Sequence, residues 1–580
     1  MKKLLTVLLA LVMVVTLAGC GAKEEAKTPA SITYLYNTGS GHQAIAEYCQ
    51  GAWAQAGVNV NLENQEWATF LNTRKDGNYT VARNGWLGDF NDPISFLDMW
   101  TTASGNNDVQ FGRDAHKDVA IYSMDLTPYG YEKVENGTWA ETYDKLIGYI
   151  KTEVDQDKRF GMMHVAEDIL METGCLTPIY YYTDIYMLSD KISGFYCSPL
   201  GYKFFQNTTL SDGGTVLPVC IASEPDNIDP AFNSAVDGAT LDSHLFEGIA
   251  KLVEKDGKLV YVAACATELP EGVSNADGTI TYTYTLKDGL KWSDGQELKA
   301  SDFEFAWKRA AATDTAADYG YMFEPIKGYP DDLAVVADDA AKTLTVTLNN
   351  YTPYFEELLA FPTFFPVRED VVANEAWATD PSTFICNGPY KMTAWEHNSV
   401  ITLEKNPNYI DADTVTMPTL KFFLSDDDNA MLANYKNGDW LMIDSVPNAE
   451  IKTLQAEYPT EYYVGGQLGT YYICWNVNAD LLGSAGAGLD AVTYQTEQAA
   501  VRKAFSLLLD RNYVVDEIGQ AGQLPASSFV ALGLTEPDGS EFYKNAGHND
   551  GFVGYYDVSA AALESNCAAA LEVINKYFGE

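Results

Sequence analysis

From residue 32 onward the chain runs without a long Ser/Pro-rich linker and without an internal repeat of about 20 to 50 residues. A chain of 580 residues with that continuity folds as domains that share boundaries, not as a string of beads or a solenoid. Two hydrophobic periods coexist within it. Ile280, Tyr282, Tyr284 and Leu286, and again Leu344, Val346 and Leu348, alternate with polar residues as half-buried strands do, and Asp277-Gly278 and Asp294-Gly295 mark turns. Helical spacing joins Leu563, Cys567, Leu571, Ile574 and Phe578 before Gly579, and also Ile45, Cys49 and Trp53. The expectation is a mixed α and β protein of about three or four domains at about 150 residues each.

Apolar residues make up 47% of the chain and aromatic residues 13%, enough buried surface to offset the entropy of ordering it. Lys and Arg number 37 against 81 Asp and Glu, a formal charge of −44. Such a surface repels phosphate backbones and anionic headgroups, so nucleic acid is excluded as a partner and any membrane contact must come through an anchor. Neutral and cationic ligands fit.

Met1, Lys2 and Lys3 precede an apolar run from Leu4 to Leu17, which closes on Leu17-Ala18-Gly19-Cys20. That is the layout of a secretory signal, and the run falls short of the roughly 20 residues needed to cross a bilayer. The last four residues resemble a bacterial lipobox, which implies cleavage before Cys20 and acylation of its sulfur. Residues 1–20 are then the signal, and residues 21–31, with Lys23, Glu24, Glu25, Lys27 and Pro29, are a tether. The mature protein is expected outside the cytoplasmic membrane, attached to it by lipid. The other eight cysteines, at 49, 175, 197, 220, 265, 386, 474 and 567, show no C-x-x-C spacing and are expected mostly as buried thiols.

Catalytic signatures are missing. The six histidines form no H-E-x-x-H pair, and neither a phosphate-binding G-x-x-x-x-G-K-[ST] loop nor a G-x-S-x-G elbow occurs. Gly483 to Gly488 reads as a flexible loop. Asp426-Asp427-Asp428 lacks the downstream glycine and glutamate of a calcium loop and reads as a solvated helix start. Carboxylate pairs for glycoside hydrolysis cannot be selected from so acidic a chain. No enzyme, cofactor or metal is expected.

One segment has the form of a recognition loop. Arg83, Trp86 and Asp89 place a cation, an indole and a carboxylate beside Gly85 and Gly88. The glycines would let a ligand backbone approach closely, and Asp89 would hold an ammonium once water is excluded. The residues alone leave a second reading open, a surface Arg83–Asp89 ion pair with Trp86 in the core.

The stretch from Tyr34 to Trp100 resembles the signature of the extracellular oligopeptide-binding proteins, the peptide-loading subunits of ABC importers. Its landmarks are Tyr36-Asn37-Thr38, His42, Asn64-Gln65-Glu66-Trp67, Thr73-Arg74 and Val81 to Pro93. The resemblance continues in Asn227-Ile228-Asp229-Pro230, Leu245-Phe246-Glu247-Gly248, Leu290 to Gly295, Asn387-Gly388-Pro389-Tyr390 and Val501-Arg502-Lys503-Ala504. The order is rearranged: the part like residues 214–580 comes first in that family, and the part like 32–210 follows. The chain therefore looks circularly permuted, with a new internal joint near Gln206 to Gly214, a stretch rich in turn residues.

What the resemblance implies is an α/β, two-lobed periplasmic-binding-protein-like fold of class II type with an extra α+β domain, its segments in permuted order. One lobe would combine residues 32–181 with 471–580. The second would combine 182–246 with 385–470, and the extra domain would cover 247–384. Crossings between lobes are expected near Pro178 to Tyr182 and near Gly469 to Ile473. The implied ligand is an oligopeptide delivered to the membrane-spanning subunits of an ABC importer by a monomeric receptor. By the same resemblance Asp89 takes the peptide ammonium, Gly85 and Leu87 offer backbone groups, and Thr470, Tyr472 and Tyr319 line the site. Trp67, Trp86, Arg74, Arg83 and His42 match positions that shape side-chain pockets or answer the peptide carboxylate. Ser234 departs from the pattern, standing where some peptide receptors carry an acid. The alternative reading keeps the fold but changes the solute to a dipeptide, nickel chelate, sugar or peptide pheromone. A ligand without an amine would leave Asp89 buried and unpaired.

Overall fold

Two long strands form the middle of the protein. Leu176–Leu188 and Tyr462–Trp475 pair antiparallel, from Leu176 against Cys474 to Met187 against Tyr462. Their sequences, Ile179-Tyr-Tyr-Tyr-Thr183 and Tyr471-Tyr-Ile-Cys-Trp475, are the aromatic and β-branched runs that pack well on a pleated surface. Leu176 to Tyr181 and Leu468 to Trp475 are buried without alternation, which means that both faces of the sheet are covered there. The computed structural model describes residues 31–113, 119, 122–255, 258–549 and 551–578. Cys20, the signal and nearly all of the tether lie outside the described residues.

The sheet grows outward from this pair. Beyond Tyr462–Trp475 come Val81–Leu87, Ile32–Asn37 and Val60–Gln65; beyond Leu176–Leu188 come Met442–Ile443, Val216–Ala222, Thr419–Leu424, Val400–Lys405 and Tyr390–Glu396. Ile32–Asn37 and Val60–Gln65 run parallel, and the helix Ser40–Ala54 joins them, burying Ile45, Cys49 and Trp53 as their spacing predicts. A separate antiparallel sheet contains Ile280–Thr285 and Thr343–Leu348, whose register sets Ile280, Tyr282 and Tyr284 opposite Leu348, Val346 and Leu344. All six are buried in the same core as Phe303 and Trp307 of the helix Ala300–Ala311. Alternation was the legible signal here, because only one face of that sheet is covered.

The two ends of the described chain meet. Ile32, Tyr34 and Trp53 share one hydrophobic core with Phe505, Ile574 and Phe578. The Phe578 ring sits edge-on to Phe505 at 5.6 Å, and a side chain at Gly57 would rest 3.5 Å from the Phe578 carbonyl. Arg502 and Arg511 donate to the carbonyls of Thr173 and Pro178, tying residues 491–513 to residues 173–178. Near the expected joint, the chain turns at the surface. Thr209–Leu210 pairs with Ile192–Ser193, and Gly213, at φ +76, donates to the Leu210 carbonyl in a left-handed turn that glycine adopts readily.

Two expectations need correction. Asp427 does cap the helix Asp428–Asn437 by accepting from Asn429 and Ala430, but Asp428 is buried and accepts from the Ser40 and Ser445 hydroxyls, each at 2.6 Å. Gly483–Gly486 forms a short 3-10 turn with Ala485 and Gly486 buried, not a free loop. No disulfide joins the eight described cysteines, and six of them are buried. Among the described residues no helix is long and apolar enough to cross a membrane.

Candidate functional site

Val81–Leu87 is paired along its whole length on one side only. Val81 to Leu87 lie opposite Trp475 to Gly469, whereas on the other side only Val81 and Ala82 meet Tyr34 and Leu35. The strand therefore has a free edge from Arg83 to Leu87. Gly88 donates to the Leu468 carbonyl, and backbone groups alternate sides along an antiparallel strand, so Arg83, Gly85 and Leu87 point theirs toward the free edge. That edge borders a cleft of about 500 Å³, lined also by Trp67, Arg74, Trp86, Asp89, His42 and Tyr319.

Asp89 stands just past the edge. Its own N–H donates to Ser95 Oγ at 2.7 Å, and three residues further on Asp92 forms a buried, two-pronged ion pair with Arg159 at 2.7 and 2.9 Å. The loop is thereby fastened to the helix Gln156–Thr173. Asp89 Oδ1 accepts from the Tyr319 hydroxyl at 3.0 Å, while Oδ2 is shut from solvent and has no partner among the described residues. Burial pushes the carboxyl well above its usual range, the Tyr319 hydrogen bond pulls it back in part, and Asp98 adds to the rise. A buried acid with one unsatisfied oxygen awaits a donor.

The ion pair between Arg83 and Asp89 does not form. Arg83 lies between the rings of Trp67 and Tyr471, its guanidinium 5.9 and 5.3 Å from their centres, and its Nε has no partner among the described residues. Trp86 does pack in the core while touching the cleft, its indole N–H donating to the Ser95 carbonyl at 2.8 Å. Trp67 stacks on Phe70, whose face also carries Arg74, and Arg74 pairs with Asp108 at 2.7 Å. His42 stacks on Tyr471 at 5.7 Å; burial and then the nearby Arg83 hold its imidazole well below the usual range, so it is neutral at pH 7.

Thr470 and Tyr472 are placed elsewhere. Both are wholly buried; Thr470 donates to the Phe529 carbonyl, and Tyr472 packs edge-on against Trp100 and Phe529. Successive side chains on a strand face opposite ways, and it is Tyr471 that supplies the ring beneath His42 and Arg83. The glycines also act differently from expectation. A Cβ at Gly85 would collide with the Tyr182 hydroxyl, and one at Gly88 would press on Leu468 and Phe96, so both make room for the protein's own side chains. Sequence reasoning missed Tyr182, Tyr202, Lys203, Asp184 and Asp444 in the cleft wall. A second cavity of about 330 Å³ shares Asp89, Tyr202 and Phe361 with the cleft.

The chain matches the family model described as bacterial extracellular solute-binding proteins, family 5 middle, over residues 16–108 and 261–563, more than half of its length. It belongs to that family. Among its relatives, the oligopeptide-binding protein OppA of Bacillus subtilis (strain 168) is 34% identical over 336 residues, 55% of this chain and 57% of that protein. The dipeptide-binding protein DppE of the same organism is 33% identical over 349 residues, 58% of this chain and 59% of its own. The solved murein tripeptide binding protein MppA of Escherichia coli aligns at 27% identity with a TM-score of 0.51, covering 62% of this chain and 66% of that one. The family member described here thus spans a little over half the length of the curated relatives it matches. Its fold is the α/β fold of those periplasmic binding proteins.

Proposed function

We propose that the protein is an extracytoplasmic, lipid-anchored receptor that captures oligopeptides between two hinged lobes and delivers them to an ABC importer. The observation that carries this reading is the unpartnered Oδ2 of Asp89, set in a cleft at the end of a free strand edge. An extended peptide adding to that edge gains backbone hydrogen bonds that do not depend on its side chains, and its α-ammonium satisfies Asp89. Arg83, whose guanidinium no carboxylate holds among the described residues, is placed to answer the peptide's carboxylate. The named activities of OppA and DppE of Bacillus subtilis support a peptide ligand.

The lobes are residues 32–181 with 471–580 and residues 182–246 with 385–470, with 247–384 as the extra domain. They hinge at the paired strands Leu176–Leu188 and Tyr462–Trp475. A permuted segment order is supported by the shared core of Ile32 and Phe578 and by the surface turn at residues 206–214.

Titration calorimetry with a free tetrapeptide and its N-acetyl form tests the reading. Asp89→Asn is expected to weaken the free peptide by about 2 to 5 kcal/mol, the cost of removing one partner of a buried charge pair, or roughly 30-fold to several-thousand-fold. Acetylation should cause a like loss in the unaltered protein. Equal affinity for the free and acetylated peptides would remove Asp89 from the site.

A further inference from the structure

We propose that the cleft holds a second cation position, formed by Asp184 and Asp444 around Lys203, which receives a basic side chain of the bound peptide. This rests on the peptide-binding reading above and adds to it a preference for lysine or arginine at one place along the ligand. Lys203 Nζ lies 3.0 Å from Asp184 Oδ1 and 2.8 Å from Asp444 Oδ1, and the three side chains are 3%, 6% and 22% exposed. They come from three separate segments: the long strand Leu176–Leu188, the short strand Lys203–Phe204, and the turn after Met442–Ile443. All three line the cleft.

One lysine balances one of the two carboxylates. The remaining negative charge has no partner within the trio, and Asp184 Oδ2 is shut from solvent with no hydrogen-bond partner among the described residues, the Cys197 thiol near this carboxylate being a weak donor. Leaving a buried carboxylate oxygen bare is costly unless a ligand supplies the donor. The other basic groups of the cleft are committed or distant in role: Arg74 pairs with Asp108, Lys75 with Asp318 and Ser234, and Arg83 lies between two rings. Ser234 is uncharged, and its hydroxyl already accepts from Lys75 at 2.7 Å. Carboxylates outnumber basic side chains along the cleft wall, so its field draws cations in.

The geometry favours an organic cation over a bare dication, because the Lys203 ammonium within 3.0 Å of both acids would repel concentrated charge. An alkylammonium or guanidinium needs only the free oxygen and can bring its apolar stem along the Tyr202 ring, which lines the cleft. Tyr202, next to Lys203, also lines both cavities that share Asp89, so the second position and the ammonium anchor lie along one wall. Burial raises Asp444 to about 7, with Lys203 lowering it and Asp184 raising it further. A basic side chain arriving near pH 7 would therefore displace a proton from Asp444.

The test uses the full protein and tetra-alanine peptides in which each position in turn carries Lys or Gln. The expected result is one position at which Lys binds about 10- to 100-fold more tightly than Gln, the range for a hydrogen bond to a charged group. Within Asp444→Asn and within Asp184→Asn, that Lys-to-Gln ratio should fall toward one; the second variant keeps the reading testable if the first does not fold. Calorimetry at pH 7 in phosphate and in Tris should show a proton released with the Lys peptide and none with the Gln peptide. No preference at any position, or a preference that survives both substitutions, would overturn the proposal while leaving the receptor reading intact. If the unaltered protein bound neither series, the receptor reading would fall and this inference with it.

Discussion

Asp89 makes the ligand's charge a pH-dependent matter. Burial lifts its carboxyl above the ordinary carboxylate range near 4, so in the empty cleft the proton is retained to a higher pH than in the unfolded chain. A group raised in the folded state binds more protons there, so its contribution to stability declines as pH climbs through the folded value. Binding an ammonium requires the ionised acid. Affinity for a free-amine peptide should therefore rise with pH above about 4 and level off once Asp89 is ionised. Removing the Tyr319 hydroxyl, which favours the ionised form, should move that profile to higher pH: Tyr319→Phe titrated with the same tetrapeptide between pH 5 and 8 is the measurement, and an unmoved profile would contradict it. At this scale the sequence was informative where a motif was contiguous. Arg83, Trp86 and Asp89 sit within one strand and loop, and the structure brings them to one cleft. Thr470 and Tyr472, expected at the site by resemblance, are buried on the other face of their strand from Tyr471, because a step of one residue along a strand turns a side chain to the opposite side. The Lys203, Asp184 and Asp444 trio was invisible, since its members are brought together only by pairing between distant segments.

Elements carry the precision of the site. The loop after Val81–Leu87 is held by an ion pair between Asp92 and Arg159 that is almost wholly buried, with Arg159 also resting 5.7 Å from the Tyr354 ring. Breaking such a pair from one side strands a buried charge and typically costs about 3 to 5 kcal/mol. Arg159→Ala should lower the denaturation free energy by about that amount and also weaken peptide binding, because Asp89 lies three residues from the lost anchor. The double substitution Asp92→Asn with Arg159→Met should recover a large part of the stability, since no uncompensated charge remains. Urea unfolding of the three proteins separates the outcomes; equal losses in the single and double variants would mean that packing, not charge, holds the loop. The strand-rich half of the chain was readable where one face is covered, as in Ile280–Thr285 with Thr343–Leu348. The two long central strands were readable as strands through their aromatic runs. Their length and mutual pairing were not, because strands buried on both faces lose the alternation that marks their bounds.

At the scale of the molecule, the cleft is bridged by direct contacts between segments assigned to different lobes. Ser40 Oγ donates to Asp428 at 2.6 Å, Lys75 to Ser234 at 2.7 Å, and Asn72 to Asp226 at 3.3 Å. On the proposed lobe division these contacts would belong to a closed form, and a ligand would hold it closed only through interactions that an open form lacks. In the proposed division each lobe draws on both parts of the chain, which is why the segment order matters. Ile32 and Phe578 already share a core, and the turn at residues 206–214 lies at the surface with Gly213 in a left-handed conformation. A fold is set by contacts more than by the order in which the chain makes them, provided the original ends lie close and the new break is exposed. A variant that joins residue 580 to residue 31 through a short Gly/Ser linker, and opens between Asp212 and Gly213, should therefore fold to the same sheet. It should bind the same tetrapeptide within about threefold of the parent, as loop-closure differences of this size cost only a fraction of a kcal/mol per doubling of length. Circular dichroism and calorimetry on the pair decide it: a soluble, cooperative, peptide-binding variant shows that the two orders are one fold, and a variant that folds but binds nothing shows that the cleft depends on the order in which its walls are connected.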